Sequence, residues 1–225
     1  MEIKKTESFF QPIPDFEDNN FQFQMGEIEK DYDNNVYNTI IIENNRTKQI
    51  WMLENLKVTH YNDGTPIRDV KDDESWGTTD NIGKCCDYDN NPDNTDVYGK
   101  LYNWYVIKDS KICPHGWHVP TMDDWLTLKS MVGGIGGKLK SRLNWKEPNS
   151  GGTNDSFFTA LPGGHRESRG QFQKLESEGV WWSSTKVGEQ NARVFYLYYN
   201  LTCANIFSGG MLYGLSIRCI KDEII

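Results

Sequence analysis

The sequence has no long apolar run, no basic cluster and no C-x-x-C pair. None of its segments approaches the roughly 18 to 20 apolar residues that span a membrane, so we predict no membrane span. Its 32 acidic and 24 basic residues give a net charge of −8, which argues against a nucleic-acid partner. The start of the chain contains no recognisable signal peptide, because it lacks the apolar core of one.

Cysteine is scarce and irregularly spaced. The five cysteines are Cys85, Cys86, Cys113, Cys203 and Cys219. Their spacing argues against a structural zinc site and against a thioredoxin-like redox pair. An odd number leaves at least one thiol free.

Aromatic residues, by contrast, are abundant. The chain of 225 residues contains eight Trp and eleven Tyr, together with 20 Gly. This composition favours many short strands joined by polar loops, with amphipathic rings left for a surface. The length fits one large domain with an additional segment.

The first 34 residues have the composition of an arm. Five phenylalanines stand among acidic and Asn residues, and two prolines, Pro12 and Pro14, would interrupt a helix. The phenylalanines are Phe9, Phe10, Phe16, Phe21 and Phe23. We therefore predict an N-terminal arm at residues 1–34 and one domain at residues 35–225. The arm either covers an edge of the domain or attaches the chain to a larger assembly.

Local patterns predict a hairpin followed by two helices. Residues 36–42 are β-branched and lead through an Asn-Asn turn into residues 49–52, which is typical of a hairpin. Residues 63–97 are rich in turn residues and predict a long irregular insert. Helical spacing runs from Leu101 to Lys108, and a second helix begins at the N-cap Thr121, carries Trp125, and ends at Gly133.

The second half of the chain carries strand signals after a short helical turn at residues 137–143. The predicted strands are residues 157–161, 179–184, 192–201 and 214–220, which Gly, Asn and Ser separate. Early helices and late strands indicate an α+β fold.

Six motifs occur in an order that resembles a known family. They are Gln49-Ile50-Trp51-Met52-Leu53-Glu54-Asn55-Leu56, Tyr98-Gly99-Lys100-Leu101-Tyr102-Asn103-Trp104, Cys113-Pro114-His115-Gly116-Trp117-His118-Val119-Pro120-Thr121, Thr159-Ala160-Leu161-Pro162-Gly163-Gly164, Trp181-Trp182-Ser183-Ser184-Thr185 and Leu215-Ser216-Ile217-Arg218-Cys219-Ile220-Lys221-Asp222. From about Asn35 to Asp222 the combination resembles the Fibrobacter succinogenes major paralogous domain. Each motif is weak alone, and the order makes the set specific.

The resemblance implies a fold and argues against catalysis. That domain is similar to the C-type-lectin-like fold of the formylglycine-generating enzymes, with two main helices and short twisted antiparallel strands. In that fold Cys113 and Cys219 form the natural disulfide pair, which an oxidising location would favour. The oxidases of this type use a copper-binding cysteine pair on a late strand, where this chain offers only Cys203. We therefore expect no enzymatic activity and rank an oxidase last.

The ligand-binding residues are expected in the late hairpin region, where rings and amides crowd together. Strand alternation can bury only part of that set, and Tyr and Asn are typical of binding loops. The resemblance points to the same C-terminal face. The candidates are Trp182, Arg193, Tyr196, Tyr198, Asn200, Asn205, Phe207 and Tyr213. The alternative is a polar-aromatic rim that only shields the core.

Metal ligands are weakly indicated. Glu147-Pro148-Asn149 matches the tripeptide of calcium-dependent lectins but lacks the later Trp-Asn-Asp, and residues 87–93 have the oxygen pattern of an EF-hand without its Gly and Glu. His115 and His118 would need a third ligand. Gly133 to Gly137 follows a helix and favours a helix end over a phosphate loop. We predict no cofactor and leave a structural calcium ion open.

Two functions remain for such a domain. The first is recognition of a glycan or protein on an extracellular or particle surface. The second is a structural or assembly role in a phage virion or injection apparatus, anchored by the N-terminal arm.

Overall fold

The structure is a computed structural model that describes residues 21–222, so residues 1–20 and 223–225 lie outside the description. The described residues form a mixed α+β fold, as expected, with three α-helices and several small sheets. The α-helices are α1 (Asp73–Trp76), α2 (Pro92–Tyr98) and α3 (Met122–Met131). Three 3₁₀ helices are Tyr88–Asn90, Trp104–Ile107 and Gly136–Lys138.

Most strands are short. They are β1 (Gln22–Met25), β2 (Glu29–Lys30), β3 (Val36–Tyr37), β4 (Thr39–Glu43), β5 (Lys48–Met52), β6 (Arg68–Asp69), β7 (Lys84–Cys86), β8 (Leu101–Tyr102), β9 (Trp117–His118), β10 (His165–Arg166), β11 (Phe172–Gln173), β12 (Glu178–Val187), β13 (Asn191–Tyr198), β14 (Asn205–Gly210) and β15 (Ile220–Lys221). The larger sheets have the orders β1-β4-β5-β15-β9, β12-β13-β14 and β6-β7-β8. Neighbouring strands are antiparallel except for β6 and β7.

The first hairpin is confirmed, because strands β4 and β5 pair over five residues. Within the predicted arm, β1 pairs with β4 from Gln22 to Met25 and forms the edge of its sheet, and β2 pairs with β3. Residues 22–30 therefore pair with the domain, as expected of an arm that covers an edge. The rest of the predicted arm, residues 1–20, lies outside the described residues, and its attachment role stays a prediction.

The helix that begins after Thr121 is confirmed. The side chain of Thr121 accepts a hydrogen bond from the backbone N–H of Asp124, and the Asp124 carboxylate accepts one from the backbone of Thr121. This capping box satisfies two donors that the first helical turn would leave free. Trp125 and Leu128 are buried on one side of α3, and Gly133 follows with a φ of +66°.

The predicted helix at residues 101–108 is wrong. Leu101 and Tyr102 form strand β8, and only a 3₁₀ helix follows from Trp104. Residues 101–104 are all buried, so this segment has no polar face of the kind that a surface helix presents. Tyr102 donates its hydroxyl to the carbonyl of Val58, and Trp104 donates its indole N–H to the carbonyl of Ser183. Tertiary contacts therefore override the helical spacing.

Two predicted strands are also largely irregular. In the segment 157–161, Phe157 and Thr159 have φ values of +55° and +53°, which regular strands do not adopt. The segment 214–220 makes single bridges at residues 214–216, and only Ile220 belongs to a strand. The predicted strands at residues 179–184 and 192–201 are confirmed as parts of β12 and β13, although β13 ends at Tyr198. The insert 63–97 contains β6, α1, β7 and α2, and the turn at residues 137–143 contains a single 3₁₀ turn.

The sheet β12-β13-β14 lies between two hydrophobic clusters. On one face Trp182 and Val194 belong to a cluster that includes both cysteines of the disulfide. On the other face Trp181 and Phe195 pack with Trp125 of α3, and the Phe195 and Trp125 rings stack with centroids 4.4 Å apart. Both faces of the sheet are therefore covered at its centre.

The predicted disulfide is present. Cys113 and Cys219 are bonded across 106 positions of the sequence, and both are buried. Their bond ties the segment before β9 to the segment before β15. The disulfide thus links the middle of the chain to its end within the central core.

Four cationic side chains are fully buried, which is unusual for residues that ordinarily remain in water. They are Lys84, Lys140, Arg166 and Arg218. Each donates hydrogen bonds to backbone carbonyls of loops or of residues at the ends of helices and strands. Lys140 is typical, because its ammonium group donates to the carbonyls of Tyr198, Tyr199 and Leu201 at 3.2 to 3.3 Å. These contacts replace the hydrogen bonds that a regular element would supply.

Among residues 21–222, no helix combines the length and the apolar character needed to cross a membrane.

We expect Lys140→Met to destabilise the protein by about 1 to 3 kcal/mol, because the carbonyls around the ammonium would stay buried without a donor. Burial lowers the pKa of Lys140 to about 8, so the side chain is largely charged at neutral pH. The free energy of unfolding in urea measures the effect. Lys108→Met is the matched control, since Lys108 is exposed, and a surface change should stay within about 0.5 kcal/mol. Equal effects of the two variants would contradict the role of Lys140.

Candidate functional site

The candidate site begins at the end of the sheet β12-β13-β14 that carries Tyr196 and extends along β14 to Gly210, where the core no longer covers one face. Side chains alternate between the faces of a strand, and the register pairs Tyr196 with Asn205 and Val194 with Phe207. These residues therefore share the face that carries Trp182 further along the sheet. Trp182 and Val194 are fully buried, whereas Phe207 is 43% exposed.

The rings at this end form a contiguous cluster. The centroid of Tyr196 lies 5.5 Å from that of Phe207 in an edge-to-face arrangement and 5.8 Å from that of Tyr198. Tyr198 in turn contacts Tyr199 at 4.9 Å. Such contacts hold the rings in fixed orientations, so the surface that they present is rigid.

A pocket of about 240 Å³ opens beside this cluster. Its lining includes two rings, an acid and a histidine from four separate segments of the chain. The residues that line it include His165, Glu178, Val180, Phe207, Gly209 and Tyr213. The pocket therefore combines apolar walls with a small number of polar groups, as ligand sites commonly do.

Backbone pairing brings the walls of the pocket together. Arg166 and Gly214 exchange two backbone hydrogen bonds of 2.9 and 2.8 Å in an antiparallel bridge, which makes His165 and Tyr213 diagonal neighbours on one face. Their ring centroids are 6.0 Å apart. The backbone N–H of Gly164 donates to the carbonyl of Glu178 at 2.9 Å. The positions of these three side chains thus follow from main-chain contacts.

Glu178 and His165 are the polar centre of the pocket. A carboxylate oxygen of Glu178 lies 3.2 Å from Nδ1 of His165, and the two side chains are only 13% and 16% exposed. Burial raises the pKa of Tyr196, and the charge of nearby Glu178 raises it further. The Tyr196 phenol therefore remains protonated and can act as a hydrogen-bond donor beside the carboxylate.

Gly209 gives the pocket its floor. A Cβ atom at this position would lie 3.0 Å from a methyl group of Val194 and 3.6 Å from the ring of Trp182. Glycine therefore fits closely above the buried core, and a larger residue would displace Val194 or fill the pocket.

The structure brings together most of the residues predicted for the site and separates others. Tyr196, Tyr198, Asn205 and Phe207 share one sheet face, and Tyr213 forms a wall of the pocket. Asn200 is exposed in the turn after β13.

Two predicted site residues do not reach this surface. Trp182 is buried and donates its indole N–H to the carbonyl of Tyr102. Arg193 is an odd number of positions from Tyr196 and lies on the other face, where it donates to the hydroxyl of Ser208. Both are therefore removed from the ligand-contacting set.

Two residues of the pocket, His165 and Glu178, were not predicted from the sequence. The long separation in sequence between His165 and Tyr213 conceals their contact. Glu178 could have been found, because strand alternation places residues 178, 180 and 182 on the face that also carries Tyr196.

A family model described as the Fibrobacter succinogenes major domain matches residues 46–221. The chain belongs to this family. Comparison with curated proteins and with solved structures gives no significant match. The Fibrobacter succinogenes major domain therefore includes every residue of the pocket, while β1 to β4 precede the matched region. The pocket can therefore be assigned to the domain itself.

A second and larger cavity of about 750 Å³ lies next to His118.

 Residues of β5, the start of α3 and β15 line it. His118 lies between two carboxylates, with Nδ1 2.6 Å from Asp222 and Nε2 3.3 Å from Asp124. Asp124 is also occupied by the capping box of α3. These polar groups pair with one another, and among residues 21–222 no Phe, Tyr or Trp lines this cavity. We therefore favour the pocket that Phe207 and Tyr213 line as the functional site.

The residues considered for calcium differ in their contacts. The carboxylate of Asp87 accepts from the ammonium group of Lys100 at 2.6 Å. The amide nitrogen of Asn149 donates to the carbonyl of Ser141, whereas its amide oxygen is buried without a hydrogen-bond partner. In the part of the chain that the structure describes, no group of three His, Cys, Asp or Glu side chains is arranged to hold a metal ion. A structural calcium ion therefore stays an open possibility that the sequence raised.

The three cysteines outside the disulfide lie in different environments. Cys203 is exposed between β13 and β14, whereas Cys85 and Cys86 are buried on β7. Burial raises the pKa of both buried thiols to about 12. They therefore stay protonated at neutral pH, and a protonated thiol is a poor nucleophile and metal ligand.

We expect the pairing of His118 to stabilise the protein more at low pH than at high pH. The hydrogen bond to Asp124, and then that to Asp222, raise the pKa of His118 above its ordinary value of 6.5 although burial lowers it. Its contribution is therefore fully present below the pKa of the unfolded chain and is lost as the pH rises through the folded value.

The measurement is the free energy of unfolding of the wild type and of His118→Asn at about pH 5.5 and about pH 8.5. The difference between the two proteins should be larger at the lower pH. His115→Asn is the control, because His115 is exposed. A difference that does not change with pH, or that grows at high pH, would show that His118 does not form the charged pairs.

Proposed function

We propose that this domain is a non-enzymatic recognition module that binds a glycan or a protein through the aromatic face and the pocket beside it. The observation that carries the proposal is the pocket itself, in which Phe207 and Tyr213 flank the carboxylate of Glu178. Rings and a carboxylate together can bind both the apolar and the polar parts of one ligand group.

The size of the pocket limits what it can hold. Its volume of about 240 Å³ is below the roughly 300 to 1,000 Å³ of pockets that enclose drug-sized ligands. One side chain or one sugar unit fits such a volume, and the neighbouring rings Tyr196 and Tyr198 supply further contact area. The module therefore binds a residue-sized group that projects from a larger partner.

Rigidity supports a binding role. The rings rest on β13 and β14, whose pairing is continuous from Asn191 to Tyr196, and the floor is the packed core below Gly209. A surface that is already ordered loses little conformational entropy when a ligand binds. Recognition can therefore proceed without a conformational change.

The state of the thiols supports the non-enzymatic part of the proposal. An oxidase of the formylglycine-generating type needs two thiolates close together. Cys203 is exposed between two late strands, and the other free cysteines, Cys85 and Cys86, lie buried on β7. A copper-dependent oxidase assay tests this point directly.

The proposal includes a C-type-lectin-like fold and an extracellular or particle-surface location. The fold is supported by the capped helix α3 after Pro120 and by the bond between Cys113 and Cys219. That bond also supports the location, because disulfides persist in oxidising surroundings.

We expect Phe207→Ala and Tyr213→Ala each to weaken binding of the natural ligand at least about tenfold, since truncation of a central aromatic contact commonly costs more than 1.4 kcal/mol. Binding is measured on glycan arrays and on whole cells, with the wild type as reference. Phe207 is 43% exposed, so its truncation should leave the fold intact, and near-ultraviolet circular dichroism checks this.

Arg193→Ala is the matched control, because Arg193 lies on the same strand as Tyr196 but on the other face. It should bind like the wild type. The proposal fails if the wild type has ligands on these surfaces and the two aromatic variants retain them, or if Arg193→Ala alone abolishes binding.

A further inference from the structure

The pocket carries a carboxylate whose charge is not balanced by a lysine or arginine. Among the residues that the structure describes, His165 is the one basic side chain paired with Glu178, and no lysine or arginine reaches its carboxylate. Glu178 is only 13% exposed, so water screens this charge incompletely. A half-enclosed negative charge of this kind attracts a cation.

The walls of the pocket also favour a cation. The faces of aromatic rings attract positive charge, and Phe207 and Tyr213 line the pocket together with Glu178. The net charge of −8 adds a long-range attraction for cationic partners. The charge of Glu178 in the pocket and the net charge of the protein are therefore both negative.

We infer that the pocket binds an alkylammonium group of the kind that ends a lysine side chain, presented by a partner protein. This inference rests on the proposed function and names the chemistry of its ligand. The ammonium group contacts the carboxylate of Glu178, and the methylene stem lies along Val180, Leu215 and the ring of Phe207.

Two other cations fit less well. An arginine side chain is bound best by a carboxylate that offers both oxygens in one plane, and His165 already occupies one oxygen of Glu178. An amino sugar carries several hydroxyl groups, each of which needs a polar partner. Among the lining residues, Glu178, His165 and Tyr213 offer polar side chains to the pocket, whereas the hydroxyl of Ser208 lies on the other sheet face with Arg193. A single point charge on an apolar stem matches the pocket better.

The test measures the binding of small probes to the full chain by nuclear magnetic resonance. The probe is Nα-acetyl-lysine methylamide, and its neutral counterpart is the same compound with an acetylated side-chain amine. The glycan alternative is represented by glucosamine, and the arginine alternative by Nα-acetyl-arginine methylamide. We expect saturable shifts of Phe207 and Tyr213 with the lysine probe and an affinity at least about tenfold lower for its acetylated form.

The variant Glu178→Gln removes the charge and keeps the shape of the side chain. It should lower the affinity for the lysine probe at least about tenfold. Glu189→Gln is the matched control, because it removes one negative charge from the exposed turn at the other end of the β12–β13 hairpin. It should bind like the wild type. Phe207→Leu keeps an apolar side chain without the ring. It should weaken the binding of the lysine probe more than the binding of its acetylated form.

The inference is overturned if the lysine probe binds no better than its acetylated form, if Glu178→Gln binds it unchanged, or if glucosamine or the arginine probe binds more tightly. These results would not by themselves refute the proposed function. A recognition module for a neutral or sugar ligand would still lose binding to its natural surface in Phe207→Ala. Loss of the cation preference together with unchanged surface binding in Phe207→Ala and Tyr213→Ala would reject both.

Discussion

Hydrogen bonds from buried cations to loop carbonyls are the interaction on which the rest of this structure depends. Most strands contain only two to five residues, so many carbonyl groups enter the core without a partner in a sheet or helix. Buried carbonyls without donors are costly. Arg218 satisfies those of Phe158 and Thr159, where positive φ angles prevent a regular strand. A long donor side chain thus substitutes for regular secondary structure and fixes an irregular segment in one conformation.

The same interaction places the pocket. Arg166 donates to the carbonyls of Val70, Lys71 and Gly170, which anchors the short strand that carries His165. The main chain of Arg166 then pairs with Gly214 and brings Tyr213 beside that histidine. On the other side of the aromatic cluster, Lys140 binds the carbonyls of the turn that follows Tyr198. The walls of the pocket are therefore held by donors that do not themselves touch a ligand.

The sequence was sufficient for those parts of the fold that local rules determine. The capping pattern predicted α3, and ordered motifs predicted the family and the disulfide. Local rules failed where tertiary contacts decide the backbone, as at Leu101 to Lys108, whose spacing suits a helix although its first residues are buried on all sides. For the site, ring density located Tyr196 and Phe207. It could not locate His165, because the contact with Tyr213 depends on pairing between segments that are distant in sequence.

The burial of Trp182, which was predicted to contact the ligand, explains the position of the pocket. Alternation assigns Trp182 and Phe207 to one face of the sheet, but it does not say how far the core extends along that face. The core covers Trp182 and Val194 and ends near Gly209, where the absence of a side chain leaves a depression above them. The pocket is therefore the boundary of the core, and its floor and main-chain frame contribute to stability. Phe207, Glu178 and Tyr213 project from this frame, so the chemistry of recognition can change without a change in the fold.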